Sequence, residues 1–350
     1  MDMSALLQPK SWGSRSSSAG AGAGATGAAA APPALPPPPS SSGPPPSSSS
    51  SPERADAGLA AAGAGVVLAW ALAVLPSLAW PADTVPLAQG GVPRSYLVHL
   101  PPQQAGGAAL PLLIALHGTS MRAGDMFEYT DLPQVADRAG FVLVSPAALG
   151  AAFNDGMAPP GSEAAAVDDV GFIEAVARDA QRRFGVRADA VYVVGFSSGG
   201  SMVQRLAIES RYPFAGFAAV ASAPRVPAAS IARPAPLLLV FGDADPLNPV
   251  DGGWVWIPVL HKKAAQAATV RQWAQWLHCQ GDAERPAPVD GVTTRLWPHC
   301  ADGARLAWVS IEGLGHQWAG ARPMPFPAFV LGPQRATPPL GELVWRFLAP

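Results

Sequence analysis

The chain has 350 residues, a formal net charge of −2 and a hydrophobic share of 49%, which is enough for one large hydrophobic core. The near-neutral charge argues against a nucleic-acid partner, which would need a basic stripe. The two cysteines, Cys279 and Cys300, are too few for a disulfide-built miniprotein or a structural zinc site. A disulfide and a pair of free buried thiols both stay open as interpretations.

Residues 1–56 are a low-complexity run of Ser, Pro, Gly and Ala, which predicts disorder because such a segment buries too little apolar surface. No residue from 57 to 80 is charged. Segment 57–82 fits a secretory signal peptide or a membrane anchor of about 20 residues. A buried helix is a third interpretation, weakened by Pro76 and Pro81. We expect residues 83–350 to be secreted, periplasmic or anchored on the outer side of the cytoplasmic membrane.

From about Val92 onward, short apolar runs alternate with helical patterns, which predicts βαβ units and a mainly parallel sheet. Near-continuous apolar runs such as LPLLIAL are typical of strands covered on both faces. The predicted strands are 95–100, 110–116, 141–145, 190–194, 217–221, 236–241 and 306–311. Helical spacing predicts helices over 167–184, 270–277 and 340–348.

The segment Gly195-Phe196-Ser197-Ser198-Gly199 fits the motif G-x-S-x-G. It follows a predicted strand and precedes a helical run, and in that setting the motif forms the nucleophile elbow of the α/β-hydrolase fold. The alternative is a Gly/Ser turn without chemistry. We therefore predict an α/β-hydrolase fold, with a mainly parallel central sheet and helices on both faces, and Ser197 as nucleophile.

A serine hydroxyl needs an adjacent base, and in this fold the acid and then the histidine follow the serine along the chain. His316 lies in a glycine-flanked loop directly after the last predicted strand. His261 and His278 lie on or near a helical pattern, and His299 lies in a predicted hairpin. For the acid, Asp243 and Asp245 both follow strand 236–241. We favour Asp245, which lies further into the loop, to hold the imidazole of His316; Asp243 is the alternative.

An oxyanion hole needs two backbone N–H groups. We expect these from Ser198, the residue after the nucleophile, and from Thr119, in the loop after strand 110–116. His117 precedes the nucleophile and is interpreted as a hydrogen-bonded structural histidine. This chemistry implies no metal and no organic cofactor.

The motifs ALHGTS, FNDG, VDDVGFI, VVGFSSGGSM, FGDADPLNPVDGG and GLGHQWAG, in this order, resemble the poly(3-hydroxybutyrate) depolymerase-like esterases, a group that includes feruloyl and acetyl-xylan esterases. The resemblance covers residues 90–347. It implies an extracellular serine esterase with the three catalytic residues already named, a Cys279–Cys300 disulfide, and Trp318 at the acyl site. It also implies that Asp168 and Asp169 are structural.

We therefore expect a serine esterase for carboxylic esters, on hydroxyalkanoate oligomers or polyester-like substrates. No additional polymer-binding domain is expected, which favours soluble or small esters. The alternatives are a feruloyl or acetyl-xylan esterase and a non-catalytic, anchored binding protein. The expected partners are an ester substrate and, if residues 57–80 form an anchor, a membrane, with no nucleic acid.

Overall fold

The computed structural model of the chain describes residues 82–107, 109–228, 230–255 and 261–349. The predicted leader, 1–56, and the apolar segment 57–82 lie outside the described residues, apart from Ala82. The strands are β1 (Asp83–Gln89), β2 (Val92–His99), β3 (Leu112–Leu116), β4 (Val142–Pro146), β5 (Val191–Phe196), β6 (Gly216–Val220), β7 (Leu237–Gly242), β8 (Gly253–Val255), β9 (His261–Lys263), β10 (Val292–Trp297) and β11 (Leu306–Ile311). The α-helices are α1 (Asp125–Glu128), α2 (Leu132–Ala139), α3 (Asp169–Phe184), α4 (Ser198–Glu209), α5 (Gln266–Trp276), α6 (Ala328–Leu331) and α7 (Leu340–Leu348).

Nine of the described strands form one sheet in the order β1-β2-β4-β3-β5-β6-β7-β11-β10. The six strands from β4 to β11 in this order pair in parallel, and the antiparallel pairs lie at the two edges. Strands β8 and β9 pair with each other, apart from this sheet. Parallel neighbours need crossover connections, so helices cover the sheet faces. The predicted α/β fold with a mainly parallel sheet is confirmed.

The central strands are apolar along their length because both of their faces are covered. Every residue of β3, β6 and β7 is buried. Helices α3, α4 and α5 pack on one face through side chains such as Phe172, Met202 and Trp273. Helices α2 and α7 pack on the other face, through Val135 and Val344 among others. The sheet therefore lies between two helical layers and holds the loops at its carboxyl edge.

All seven predicted strands are present, with boundaries that differ by at most three residues. The predicted helices correspond to α3, α5 and α7. Strands β1 and β10 were not predicted, because both lie at sheet edges and mix polar with apolar residues: β1 is largely exposed, and in β10 buried side chains alternate with partly exposed ones. The short pair β8–β9 and the helices α1, α2 and α6 were also not predicted.

The two cysteines form a disulfide, with an S–S distance of 2.02 Å between Cys279 and Cys300. The pairing implied by the resemblance is therefore present, and the alternative of two free thiols is wrong. The bridge joins the segment after α5 to the loop between β10 and β11. Among the helices of the described ranges, none is long and apolar enough to cross a membrane.

Candidate active site

Ser197 lies in the sharp turn between β5 and α4. Its backbone has φ 55° and ψ −122°, a strained positive-φ conformation that a non-glycine residue adopts only when the surrounding structure holds it there. The backbone N–H of Ser197 donates to the carbonyl of Val220 on β6 at 2.9 Å. This strained turn lifts the hydroxyl above the carboxyl edge of the sheet, as the G-x-S-x-G motif predicts.

Two glycines permit the close packing of this turn. A Cβ on Gly195 would lie 2.8 Å from the backbone N of Gly200 and still closer to the Gly199 carbonyl. A Cβ on Gly199 would clash with the backbone carbonyls of Leu116 and His117 at the end of β3. Gly195 therefore lets the first turn of α4 pack against the end of β5, and Gly199 lets it pack against the end of β3.

His316 lies in the loop after β11 and contacts both other members of the predicted triad. Its Nε2 is 2.9 Å from the Ser197 Oγ, and its Nδ1 is 2.9 Å from the Asp245 Oδ2. The ring lies against Phe196, with centroids 5.0 Å apart. This geometry fits an imidazole whose Nδ1–H donates to the carboxylate and whose Nε2 accepts the serine proton.

Asp245 follows β7, and its side chain is fully buried. Its Oδ1 accepts the backbone N–H groups of Leu247 at 2.7 Å and Asn248 at 2.9 Å. Burial by itself raises the pKa of a carboxyl group, but it is outweighed here by His316 together with the hydrogen bonds from Asn248 and the Leu247 N–H. The pKa of Asp245 consequently lies below its ordinary value, so the carboxylate is ionised near neutral pH.

Asp243, the alternative acid, lies elsewhere. Its side chain is exposed, and its Oδ1 accepts the backbone N–H of Gly313 at 2.6 Å. The structure therefore brings Asp245 to the imidazole and places Asp243 as a tie between the end of β7 and the loop that carries His316.

Thr119 and Ser198, the predicted oxyanion-hole residues, lie next to each other. The Thr119 hydroxyl donates to the Ser198 Oγ at 3.0 Å. The loop after β3 approaches the elbow closely: a Cβ on Gly118 would lie 3.2 Å from the Ser197 Cβ. Both backbone segments thus flank the nucleophile.

His117, at the start of this loop, is buried. Its Nδ1 lies 2.9 Å from the Gly118 carbonyl, and its Nε2 accepts the Ala148 backbone N–H at 3.2 Å. Burial lowers the pKa of His117. These contacts agree with the interpretation of His117 as a hydrogen-bonded structural histidine.

A cleft of about 790 Å³ opens over the nucleophile, and Ser197, His316 and Thr119 line it. Much of the remaining wall is apolar, with Leu149, Phe153, Met157, Val167, Met324 and Val330.

Trp318, which was expected at the acyl site, lies in the core with 1% of its surface exposed. Its indole N–H donates to Asp131 at 2.8 Å, so the structure does not bring Trp318 to the cleft wall.

The paired acids Asp168 and Asp169 hold backbone segments, as their structural interpretation implied. Asp168 caps α3 by accepting the Gly171 N–H at 2.8 Å. Asp169 forms a buried ion pair with Arg94 at 2.7 Å and accepts the Asn154 N–H at 2.7 Å. Asp169, which itself lines the cleft, therefore ties the cleft wall to Arg94 on β2.

Residues 94–230 match the family described as Esterase PHB depolymerase. Over 262 residues the chain is 32% identical to the protein named "Putative esterase NocK" of Nocardia uniformis subsp. tsuyamanensis, covering 69% of this chain and 75% of that protein. The chain belongs to the PHB depolymerase esterase family. It is an esterase of the α/β-hydrolase type.

A second relative agrees with this assignment, and a solved structure agrees with the fold. The esterase is 24% identical over 237 residues to the bifunctional acetylxylan esterase/xylanase XynS20E of Neocallimastix patriciarum, covering 66% of this chain and 32% of that protein. The structure of the acetyl xylan esterase from Aspergillus awamori has the same fold, with a TM-score of 0.53 and 14% identity. It covers 68% of this chain and 94% of that chain.

The sequence did not identify Asn248 as part of the esterase's site. Its Nδ2 donates to the Ala221 carbonyl at 2.8 Å and to the Asp245 Oδ2 at 3.2 Å, and lies 3.3 Å from the His316 Nδ1. One local signal was available: an Asp followed by a turn that ends in Asn is a typical way to satisfy a carboxylate by backbone N–H groups. The side-chain contacts depend on β6 and could not be derived from that turn.

Proposed function

We propose that this esterase hydrolyses carboxylic esters of hydroxyalkanoate oligomers or polyester-like substrates by a Ser–His–Asp acyl-enzyme mechanism. The observation that carries the proposal is the continuous contact from the buried Asp245 through His316 to Ser197, with both distances at 2.9 Å. A serine in a strained turn, a base within hydrogen-bonding reach and a carboxylate that orients the base are the parts that acyl transfer needs.

In the proposed mechanism, the Nε2 of His316 takes the proton of the Ser197 hydroxyl while the Oγ attacks the ester carbonyl carbon. The backbone N–H groups of Thr119 and Ser198 stabilise the resulting oxyanion. The imidazolium, held by Asp245, then gives its proton to the departing alcohol, which leaves an acyl-serine. A water molecule, deprotonated by the same imidazole, attacks that acyl group; the acyl–serine bond breaks, the imidazolium returns the proton to the Ser197 Oγ, and the carboxylic acid is released.

The apolar wall of the cleft supports the proposed substrate class, because aliphatic hydroxyalkanoate units would bury their methyl and methylene groups there. A second candidate is an acetyl-xylan or feruloyl esterase, which the name of the relative from Neocallimastix patriciarum favours. A panel of hydroxybutyrate oligomers, acetylated xylan oligomers and feruloylated sugars separates the candidates by kcat/KM.

The mechanism is tested by Ser197→Ala. We expect hydrolysis of p-nitrophenyl butyrate to fall by at least about 10³-fold, with an unchanged circular dichroism spectrum. Ser210→Ala, the same substitution at the other end of α4, is the matched control and should keep its activity. Fluorophosphonate labelling should occur at Ser197. Full activity of Ser197→Ala would refute the mechanism, and an intact wild type that neither labels nor turns over would favour the non-catalytic binding protein.

We further propose that the esterase acts outside the cytoplasm, either secreted, periplasmic or anchored through residues 57–80. The Cys279–Cys300 disulfide supports this, because such bonds persist in oxidising compartments. Fractionation of the native host, with the N-terminus of the mature protein sequenced, tests it; recovery of reduced enzyme in the cytoplasm alone would contradict it.

A further inference from the structure

Lys263, at the end of β9, lies in the wall of the catalytic cleft. Its ammonium group donates to the Asn248 Oδ1 at 3.2 Å. A lysine ammonium has three N–H donors, and in the described part of the chain Lys263 forms no ion pair with a carboxylate. The cleft therefore contains a positive charge to which the ester-hydrolysis mechanism assigns no role.

The other charged groups of the cleft are paired or lie at its rim. Glu163 is exposed. The buried acids each have a basic partner: Asp155 with Arg225 at 3.3 Å, Asp169 with Arg94 at 2.7 Å and Asp245 with His316 at 2.9 Å. Lys263 thus differs from its neighbours in that, among the described residues, no carboxylate lies within ion-pairing distance and its hydrogen bond goes to an amide oxygen.

This charge is costly where it lies. Burial, and then the nearby positive charge of Arg225, lower the pKa of Lys263 to about 8, although Asp245 and Asp155 act in the opposite direction. The group is still mostly protonated at neutral pH. A ligand carboxylate beside the ammonium would replace the lost hydration and form charge-assisted hydrogen bonds, so the site favours an anion.

Lys263 is linked to the catalytic residues through Asn248. Asn248, which accepts from Lys263, has its amide nitrogen 3.3 Å from the His316 Nδ1, and His316 is 2.9 Å from the Ser197 Oγ. Because Lys263 and Ser197 line the same cleft, a substrate whose carbonyl carbon lies at Ser197 and whose chain follows the cleft wall would bring a second polar group to the ammonium. The apolar wall would hold the chain between the two groups.

We propose that Lys263 is a carboxylate-recognition residue and that the preferred substrates are esters that carry a free carboxylate group. This inference rests on the proposed function and deepens it. Hydroxy-acid oligomers with a free acid end belong to this class, whereas neutral polymer chains and neutral alkyl esters do not.

The test uses two matched pairs of substrates that differ in charge and little in shape. One pair is the 3-hydroxybutyrate dimer and its terminal carboxamide, with the charge on the alcohol part. The other is monomethyl glutarate and its carboxamide, with the charge on the acyl part. For at least one pair we expect the wild type to show a kcat/KM about tenfold or more higher for the carboxylate.

Lys263→Met and Lys263→Gln should abolish this preference, Lys263→Arg should retain most of it, and added salt should weaken it in the wild type. The readout is the ratio within each pair, so a general change in rate transmitted through Asn248 cancels. Lys262→Met, at the exposed neighbouring residue, is the matched control and should keep the wild-type ratio.

Equal kcat/KM values within both pairs, or a preference that survives in Lys263→Met and Lys263→Gln, would overturn the proposal while leaving the esterase mechanism intact. Hydrolysis of p-nitrophenyl butyrate is measured alongside. Failure of the folded wild type to hydrolyse any of these esters would instead overturn the proposed function, and the substrate preference with it.

Discussion

The Asp243 carboxylate accepts the backbone N–H of Gly313 at 2.6 Å and so holds the loop that carries His316 against the end of β7. Asp245, two residues further along, contacts the imidazole itself at 2.9 Å. The two carboxylates therefore both help to position His316, one through its loop and the other by direct contact with the ring. Asp245 orients the ring, and Asp243 fastens the loop from outside the site.

This difference predicts unequal effects of two matched substitutions. Asp245→Asn should lower kcat for p-nitrophenyl butyrate by about 10⁴-fold, because the amide cannot hold the imidazole tautomer or stabilise the imidazolium. Asp243→Asn should lower it by no more than about tenfold, since the amide oxygen still accepts the Gly313 N–H. A larger loss in Asp243→Asn than in Asp245→Asn would show that the acid is assigned to the wrong residue.

A second prediction concerns the elbow. Gly195→Ala should reduce kcat by at least about 10²-fold, because a displaced nucleophile no longer meets the carbonyl in the productive geometry. It should also lower the free energy of unfolding by about 1–3 kcal/mol through overpacking, measured by urea denaturation.

Gly106→Ala is the control for this substitution, since a Cβ there meets no atom within 4 Å. Near-wild-type activity of Gly195→Ala would mean that the turn has more room than its packing indicates.

A third prediction concerns the pH dependence of stability at Asp179 on α3. Its carboxylate accepts from the Tyr96 hydroxyl at 2.9 Å and from the Arg183 Nε at 2.6 Å. Burial acts to raise the pKa of Asp179, but these partners lower it below its ordinary value of 3.8. A depressed carboxyl pKa stabilises the fold above the unfolded-state pKa, and that contribution disappears as the pH falls through the folded-state value.

Asp179→Asn should therefore lower the free energy of unfolding by about 1–3 kcal/mol at neutral pH, with a difference from wild type that shrinks below about pH 4. Urea unfolding across this pH range measures it. Asp189→Asn, at an exposed carboxylate paired with Arg187, should have a much smaller effect. A difference that grows as the pH falls would contradict the assignment.

A fourth prediction concerns the disulfide, whose cysteines are 21 residues apart in the chain. Replacing Cys279 and Cys300 together by Ser should lower the free energy of unfolding by about 3 kcal/mol, mainly because the unfolded chain gains freedom. A reducing agent should destabilise the wild type by a similar amount and leave the double variant unchanged. An unfolding midpoint of the wild type that does not change when the reducing agent is added would contradict this prediction.

Much of the fold could be predicted because the central strands carry their signal locally. Strands β3 and β7 are apolar on every residue, since both faces are covered by helices. Edge strands β1 and β10 lack such a continuous apolar run, because part of each strand is exposed and carries polar residues. The residues of the site divide similarly: a motif marks Ser197, and the glycine-flanked loop after the last parallel strand marks His316.

The prediction for Trp318 was wrong because of a contact between segments that are distant in the chain. The position of Trp318 after the histidine suggested a cleft residue, but Asp131, at the start of α2, accepts its indole N–H in the core. No property of the local sequence indicates that partner.

The sequence by itself determined the elbow, the order of the proposed catalytic residues and the sheet that holds them, because these follow from local patterns and from the chain order of the fold. Only the tertiary structure separated Asp245 from Asp243, brought Asn248 to the imidazole and placed Lys263 in the cleft with no carboxylate partner among the described residues. Those contacts join β7, β9 and the loop after β11, and hydrogen-bond geometry between such distant segments is decided by packing.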